Sequence, residues 1–370
     1  MPLRVLQVLH QGGGAGSVTS TLHLSLGLAR AGVKVRFACP PDSEVEQLAR
    51  AGGLDVSPLA LRPGARRANA RALAELLRGA PVDLINSQSA RDRQALTWLG
   101  LLGRLRAPLV MTRRQMPRTF YLENWLAGRA ATHVIAVSRP VAEALRRKGT
   151  PAEKLTVIAN GLVASRVDRP VAPDEVRTWK ERIGWTPAQR NLGIIARPKD
   201  QRLVIEALRT VRSPVRLVMV GVPAADAIAR AAAAVAPPHA AVCLPFTPDV
   251  RALYDVLDLV LLPSRSEGFS QSLLEAMALG KPVIASAAGG NLDLIATGGD
   301  GLLVEPLSPA AWAAAIDRIL GDEGLARRFG LAARHTARDT FPLERTVRET
   351  LALYRRLAGA GTLAPARRTG

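Results

Sequence analysis

The distribution of hydrophobic residues divides the chain into two series of short strands and helices. In the first series, runs rich in β-branched residues, such as Arg4–Leu9 and Lys34–Ala38, alternate with helical stretches such as Ser17–Ala31. The alternation pauses at Gly161 and restarts at Leu192. Strands that alternate with helices run parallel in most folds, so each series predicts a parallel sheet with helices on both faces.

The predicted domain limits follow from the pause and from the end of the chain. Residues 161–189 are rich in Pro, Asp and Arg and show no strand pattern. The periodic segment FPLERTVRETLALYRRLA has no strand after it. We therefore expect an α/β protein with two doubly wound, Rossmann-like domains over 1–165 and 166–341. A helix is expected over about 342–358, followed by a disordered tail over 359–370.

Charge is concentrated in the first half of the chain. The formal net charge is +19, and residues 1–165 contain 23 basic and 10 acidic residues. Between Leu84 and Arg118 there are seven arginines and a single acid, Asp92. Such an excess predicts an anionic partner: nucleic acid, an anionic membrane or a phosphorylated substrate.

The pattern of apolar residues bears on localisation. The first residues lack a signal-peptide pattern, and the longest apolar run, Leu96–Met111, is interrupted by two arginines. Cys39 and Cys243 lie far apart and follow apolar runs, which indicates buried thiols rather than a disulfide. A cytoplasmic protein is expected, with peripheral attachment to the inner face of the cytoplasmic membrane left open.

One predicted helix carries apolar residues beside arginines. Trp98, Leu99 and Leu102 share a helical face near four arginines: Arg91, Arg93, Arg104 and Arg106. The pattern is consistent with an interfacial membrane patch. The alternative, which the pattern favours slightly, is an ordinary core face between solvated arginines.

A glycine cluster, HQGGGAGSVTS, follows the first predicted strand and opens a helix. Gly12 and Gly14 match the start of the dinucleotide fingerprint G-x-G-x-x-G, but Ser17 occupies its last position. The acid expected at the end of the second strand is also missing, so NAD is not expected. The loop would admit another anionic ligand, and a simple tight turn is the alternative. Without a D-x-D pair or a Cys/His cluster, no metal is expected either.

The segment SRSEGFSQSLLEAMALGKPVIASAAGG carries two glutamates, Glu267 and Glu275, among small and apolar residues. It follows a predicted strand at Leu259–Leu262, and Ser270 is a candidate N-cap for the next helix. A free helix N-terminus favours phosphate, and carboxylates bind hydroxyl groups. The segment therefore predicts a site for a diphosphate flanked by two polyol groups. Alternatively, Glu267 caps the helix and Glu275 is an ordinary helix residue.

This segment, with the later GLLVEP, resembles the signature of the GT-B glycosyltransferases of family 4. GGGAG, VIAVS, IANGLV and FPLERTVRETLALYRRL extend the resemblance over nearly the whole chain. The resemblance implies a GT-B fold, with two Rossmann-like domains facing a cleft and a C-terminal helix crossing back to the first. It also implies retaining transfer of a sugar from a nucleotide diphosphate sugar, such as a UDP-sugar, to a glycan or glycolipid hydroxyl. Synthesis of lipopolysaccharide core is the expected role, with neither cofactor nor metal.

Carried over by position, the resemblance assigns catalytic roles to Glu267, Arg197 and Lys199. Glu267 would contact the donor sugar, and the two cations would neutralise the departing diphosphate. Only Pro198 separates Arg197 from Lys199, fewer residues than in relatives. The remaining donor contacts would come from Glu275 at the ribose and from the backbone of Gly13, Gly14, Phe269, Ser270, Gln271, Ser272 and Leu273.

The acceptor side departs from the family pattern, because the usual histidines are replaced. The V-x-T-x-H segment ends in arginine at 114, and the D-V-V-H-x-H-S segment reads DLINSQS. The candidate acceptor residues are Arg113, Arg114, Asn86 and Gln88. Since these side chains differ from the family's, the acceptor contacts are expected to differ as well.

Two other classes of protein remain open at this point. GT-B nucleotide-sugar epimerases and phosphorylases share the architecture, although the form EGF-x-x-x-LLEAMA argues against them. A non-catalytic nucleic-acid-binding protein would explain the charge, but the chain lacks a recognisable reader motif and has few aromatic residues. The expected partners are therefore a nucleotide-sugar donor, a glycan or glycolipid acceptor and an anionic membrane surface, without nucleic acid.

Overall fold

The computed structural model describes residues 1–14, 16–79, 81–305 and 307–362, and the chain forms two compact units. The N-terminal unit combines Met1–Gly161 with the segment that begins at Leu343, and the C-terminal unit is Leu162–Pro342. These limits lie within a few residues of the predicted 165/166 and 341/342. The last helix continues to Thr362, past the predicted end at 358. Of the predicted tail, residues 363–370 lie outside the described part of the chain.

The N-terminal unit is built on seven parallel strands in the order β3-β2-β1-β4-β5-β6-β7. The strands are β1 (Arg4–Val8), β2 (Lys34–Cys39), β3 (Asp55–Pro58), β4 (Leu84–Ser87), β5 (Leu109–Arg113), β6 (His133–Ala136) and β7 (Leu155–Val157). Its first helices are α1 (Gly16–Arg30), α2 (Glu44–Ala51), α3 (Arg66–Gly79), α4 (Ala90–Leu101), α5 (Tyr121–Ala130) and α6 (Arg139–Arg147). Because β1 lies between β2 and β4, the strand order reverses direction there.

The C-terminal unit has six parallel strands in the order β10-β9-β8-β11-β12-β13. They are β8 (Arg190–Ile195), β9 (Val215–Val220), β10 (Ala240–Leu244), β11 (Leu259–Leu262), β12 (Val283–Ser286) and β13 (Leu302–Val304). The helices are α7 (Ala164–Asp168), α8 (Pro173–Ile183), α9 (Gln201–Ala207), α10 (Ala227–Ala233), α11 (Arg251–Val256), α12 (Gln271–Ala278), α13 (Asn291–Leu294), α14 (Pro309–Leu320) and α15 (Glu323–His335). Here the order reverses between β8 and β11.

The final helix, α16 (Leu343–Thr362), packs on α1 and belongs to the N-terminal unit. Its Tyr354 is fully buried, and the hydroxyl lies 3.2 Å from the amide nitrogen of Gln7 on β1. The Tyr354 hydroxyl also accepts a hydrogen bond from Asn86 on β4. The predicted return of the C-terminal helix to the first domain is therefore confirmed.

Several elements were not predicted from the hydrophobic pattern. Helices α3, α5 and α8 occupy segments rich in arginine or in exposed aromatic residues, and β3 is a four-residue strand at the sheet edge. Both cysteines are free, but only Cys39 is buried, whereas Cys243 is partly exposed. Burial is the main reason that the pKa of the Cys39 thiol is raised to about 12. No helix in the described ranges is long and apolar enough to cross a membrane.

Candidate active site

The predicted catalytic residues of the C-terminal unit meet where its strand order reverses. Arg197 and Lys199 follow β8, and Glu267 follows the neighbouring strand β11. Open parallel sheets bind ligands at the carboxyl ends of their strands, at such a reversal point. The topology therefore places these three residues at the position where a ligand is expected.

Lys199 and Glu267 form an ion pair at this edge. The Nζ atom of Lys199 lies 2.5 Å from Oε2 of Glu267, and the two side chains are 32% and 18% exposed. An exposed ion pair contributes little to stability, because water already solvates both charges. The pair thus holds a cation and a carboxylate together where a ligand can reach them.

The short Arg-Pro-Lys segment is held in place by Gln201, whose side chain is almost fully buried. Its amide oxygen accepts a hydrogen bond from the Lys199 backbone N–H at 2.6 Å, and its amide nitrogen donates to the Arg197 carbonyl at 2.8 Å. A single side chain therefore fixes the backbone that carries both cations. Sequence analysis did not single out Gln201, because its partners are two to four residues away and follow no motif.

The paired glycines after β12 support the Glu267 loop. The backbone N–H of Gly290 donates to the Glu267 carbonyl at 2.9 Å. A Cβ atom at Gly290 would lie 1.8 Å from the Gly268 carbonyl oxygen, and one at Gly289 would lie 2.1 Å from that of Glu267. Both contacts are far inside van der Waals distance, so glycine is required for the two loops to approach this closely.

Helix α12 begins next to this loop. Ser270 is the N-cap, as predicted, and its hydroxyl accepts a hydrogen bond from the Leu273 N–H at 3.3 Å. Among the described residues, no acceptor pairs with the backbone N–H groups of Phe269, Ser270, Gln271 or Ser272. Unpaired N–H groups at a helix N-terminus attract anions. The edge therefore offers donors for phosphate beside Lys199.

The second glutamate of the motif has a partner that the sequence did not reveal. The Nε atom of Arg166, on α7, lies 2.6 Å from Oε1 of Glu275, and the Glu275 side chain is 9% exposed. Burial alone would lower the pKa of Arg166, but the Glu275 carboxylate outweighs it and raises that pKa. Tyr254 is buried nearby and donates from its hydroxyl to the Ser272 carbonyl at 2.8 Å. Glu275 is thus an ion-paired, nearly buried group, and a contact with ribose is still a prediction.

In the N-terminal unit, the glycine loop leads from β1 towards α1. Gly14 has a positive φ of 65°, which favours glycine, and the Gly12 carbonyl accepts a hydrogen bond from the Val45 N–H at 3.0 Å. A Cβ atom at Gly13 would lie 2.6 Å from the Glu44 carboxylate. Because Glu44 is exposed, it can turn away; in the position observed, its charge would repel a phosphate.

Three of the four candidate acceptor residues form a buried network instead of an open surface. Asn86 is fully buried between Thr112 and Tyr354, and Gln88 donates to Gln7 at 2.6 Å. The guanidinium of Arg114 donates to Gln88 and to an asparagine amide. Burial lowers the pKa of Arg114 to about 10. In this structure Asn86 therefore supports the domain interior and does not face solvent.

A histidine that sequence analysis did not select lies at the strand reversal of the N-terminal unit. Nδ1 of His10 lies 2.6 Å from the Ser89 hydroxyl and 3.1 Å from the Asp92 carboxylate. Asp92 is completely buried, which would raise its pKa, but hydrogen bonds from His10 and Ser89 lower it overall. Only the fold brings these residues together, because His10 and Asp92 are 82 positions apart.

Together these features define an α/β protein whose second sheet brings a cation, a carboxylate and open helix N–H groups to one edge. Residues 14–166 match the family model described as Glycosyltransferase Family 4, and residues 191–336 match the model Glycosyl transferases group 1. The chain belongs to this family of glycosyltransferases. The predicted resemblance is thereby confirmed at the level of the family.

The relatives found by sequence match only part of this chain. The D-inositol 3-phosphate glycosyltransferase of Salinispora arenicola is 41% identical over 106 residues, which is 29% of this chain and 23% of the relative. The putative glycosyltransferase EpsD of Bacillus subtilis is 30% identical over 225 residues, 58% of this chain and 57% of the relative. The chain thus matches less than a quarter of the first relative's length and under two thirds of the second's.

Solved structures match over almost the full length. Anabaena Alr3699/HepE in complex with UDP and glucose has a TM-score of 0.83 at 22% identity, covering 96% of this chain and 100% of that one. WaaG, a glycosyltransferase involved in lipopolysaccharide biosynthesis, has a TM-score of 0.71 at 18% identity, covering 95% and 99%. At these identities the likeness establishes the fold, and the predicted GT-B fold is confirmed.

Proposed function

We propose that this protein transfers a sugar from a nucleotide diphosphate sugar to a hydroxyl group of an acceptor. One observation carries the proposal: Lys199 and Glu267 form an accessible ion pair beside the open N-terminus of α12. A carboxylate suits sugar hydroxyls, and a cation with free N–H groups suits a diphosphate. A UDP-sugar is the proposed donor. The UDP complexes of the structural neighbour HepE support this choice.

The residues at this edge would act by stabilising the negative charge that develops on the departing diphosphate. In the proposed transfer, the acceptor oxygen forms a bond to the anomeric carbon while the bond from that carbon to the diphosphate breaks. The electron pair leaves with the nucleoside diphosphate, whose charge Arg197, Lys199 and the α12 N–H groups would balance. The acceptor proton would pass to the departing phosphate oxygen, with retention of configuration and without a metal. Preorganised donors of this kind contribute ~2.7–4 kcal/mol each to a transition state.

The proposed acceptor is a glycan or glycolipid of the cell envelope. Support comes from the family and from neighbours such as WaaG, whose description places it in lipopolysaccharide biosynthesis. Lipopolysaccharide core is the first acceptor to try. The matched part of the inositol phosphate relatives is too short to favour their acceptor.

We also propose that the protein acts while bound to an anionic membrane surface through its N-terminal unit. The N-terminal unit exposes four large apolar side chains at the start of α5, which we call the aromatic patch: Phe120, Tyr121, Leu122 and Trp125. Three more, Trp98, Leu101 and Leu102, are exposed at the end of α4, which lies beside the end of α5. Leu99, which was expected to share this face, is buried instead. Exposed arginines 104, 106, 118 and 129 lie on the same elements or on the adjoining loops. Aromatic and basic residues together are typical of a membrane interface.

Ligand-dependent unfolding tests the function. The melting temperature of the full chain is expected to rise with UDP and UDP-glucose, because a ligand that binds only the folded state stabilises it. ADP- and GDP-sugars serve as comparisons for the base, and EDTA should not change the response. If none of these nucleotides shifts the melting temperature at millimolar concentration, the proposed function is wrong.

A further inference from the structure

Two arginines of the N-terminal unit lie where the neighbouring strands β4 and β5 lead into helices α4 and α5, and neither has a carboxylate partner among the described residues. Arg113 ends β5 and is 6% exposed, and Arg93, in the first turns of α4, is partly buried. One guanidinium nitrogen of Arg113 donates to the Asn124 amide oxygen at 3.0 Å, and one of Arg93 donates to the Ser89 carbonyl at 3.3 Å. In the described ranges neither arginine forms an ion pair. Both positive charges are therefore held by neutral groups.

Such an arrangement is unfavourable unless another group balances it. Burial lowers the pKa of both arginines, and the charge of Arg93 lowers that of Arg113 further. The charge of Glu123 raises the pKa of both arginines and that of Asp92 raises the pKa of Arg93, but neither carboxylate is within ion-pair distance of them. Asp92 is already occupied, since its carboxylate accepts hydrogen bonds from His10 and from residues 87–89. Buried charges are usually paired, so two unpaired guanidinium groups indicate a missing anion.

The position of the pair also favours a ligand. Arg113 and Arg93 lie at the carboxyl ends of β5 and β4, the edge at which open parallel sheets bind ligands. Helices α4 and α5 both begin at this edge, and helix N-termini favour anions. Guanidinium groups bind phosphate through paired N–H donors. Phosphate is therefore the anion that fits best.

We propose that Arg93 and Arg113 form a phosphate-binding site for the acceptor, which makes the acceptor a phosphorylated compound. The proposal rests on the proposed function, because it assigns the acceptor side of the same transfer. Two sources of phosphate share this chemistry: a phosphate ester on a soluble sugar, and the headgroup of a lipid. The aromatic patch includes the exposed Phe120 at the start of α5, close to where a lipid headgroup would have to enter this site.

The test uses inorganic phosphate as the probe with the full chain at low ionic strength. Saturating UDP is added so that phosphate does not occupy the C-terminal unit. Hydrogen exchange should then slow in peptides covering residues 89–101 and 109–125 as phosphate is titrated. Arg93→Gln should weaken this response about tenfold, the order expected for one charge-assisted hydrogen bond. Arg30→Gln, the same change at an exposed arginine at the end of α1, is the matched control.

The source of the phosphate is decided by vesicles of phosphatidylglycerol or phosphatidylcholine. If Arg93→Gln weakens binding to phosphatidylglycerol vesicles, the site serves a lipid headgroup. If the variant binds these vesicles like the wild type but no longer responds to inorganic phosphate, the site serves a soluble phosphate ester. Absence of phosphate-dependent protection in the two peptides, or an Arg93→Gln protein that responds like the wild type, overturns the proposal. UDP binding, measured in the same samples, separates failure of this site from failure of the proposed function.

Discussion

Each glutamate of the Glu267–Glu275 motif is paired with a cation from another part of the C-terminal unit. Glu267 contacts Lys199 in an accessible place, whereas Glu275 contacts Arg166 where little surface is exposed. Breaking an exposed pair costs little, but breaking a nearly buried pair leaves a charge without compensation. The two carboxylates are therefore suited to different tasks: Glu267 can exchange its partner for a ligand, and Glu275 positions the start of α7 against α12.

Replacing Glu267 with glutamine separates catalysis from stability. Glu267→Gln keeps the side-chain shape but loses the charge, so the release of UDP from UDP-glucose should fall by about 10²–10³-fold. UDP alone should bind at least as well, because Lys199 is released. The melting temperature should change little, since the pair is exposed.

Glu323→Gln provides the control, because Glu323 forms an exposed ion pair with Arg190 at 2.7 Å in the same unit. It should leave both turnover and UDP binding unchanged. Turnover of Glu267→Gln near the wild-type rate would refute the role of the carboxylate.

At the scale of the elements, the loop after β11 and the loop after β12 approach each other closely. They can do so only because positions 289 and 290 are glycines. The Gly290 N–H donates to the Glu267 carbonyl, so the position of Glu267 depends on the next strand along the sheet. The site is thus a property of two adjacent strand–helix connections and not of one motif.

Gly290→Ala should disturb this arrangement, because its Cβ atom would meet the Gly268 oxygen at 1.8 Å. Overpacking of this kind costs about 1–3 kcal/mol of unfolding free energy, and UDP-glucose should bind more weakly as the loop shifts. Urea unfolding and calorimetry measure the two effects. Gly79→Ala is the control, since a Cβ atom at Gly79 has no neighbour within 4 Å. Wild-type stability and affinity in Gly290→Ala would contradict the proposed support.

Sequence reasoning predicted the elements that carry strong periodicity and local capping. The strand before Glu267 and the Ser270 cap were predicted because their signals lie within a few residues. The pairs of Arg166 with Glu275 and of His10 with Asp92 were not, because the residues are 109 and 82 positions apart and side-chain periodicity carries no tertiary information. Helix α5 was missed because its first residues, from Tyr121, are exposed and apolar, the reverse of the usual pattern.

At the scale of the whole molecule, the N-terminal unit carries both the excess of positive charge and the aromatic patch. The Phe120 side chain is 89% exposed, yet its segment is well held: the Lys148 ammonium donates to the carbonyls of Pro117 and Thr119 at 2.8 Å each. An exposed apolar side chain on a fixed backbone is typical of an interaction surface.

Binding to vesicles tests this surface. The protein should co-sediment with phosphatidylglycerol vesicles and be released by salt, because screening weakens exposed charges. Phe120→Ser should reduce the binding about tenfold, since burial of such a side chain contributes ~1.5–3 kcal/mol. Leu331→Ser, at an exposed residue of the C-terminal unit, should have no effect. Equal binding to phosphatidylcholine vesicles, insensitive to salt, would exclude an interaction that depends on anionic lipid.

The place of α16 in the N-terminal unit has a consequence for the order of synthesis. Tyr354 completes the core beside β1 and β4, but the ribosome must first make all of Leu162–Pro342. At ~5–20 residues per second this interval is on the order of ten to forty seconds. During that time Gln7 and Asn86 lack their partner on α16, and the second unit can fold before the first is finished. The N-terminal unit can therefore be completed only after the whole of the C-terminal unit has been made.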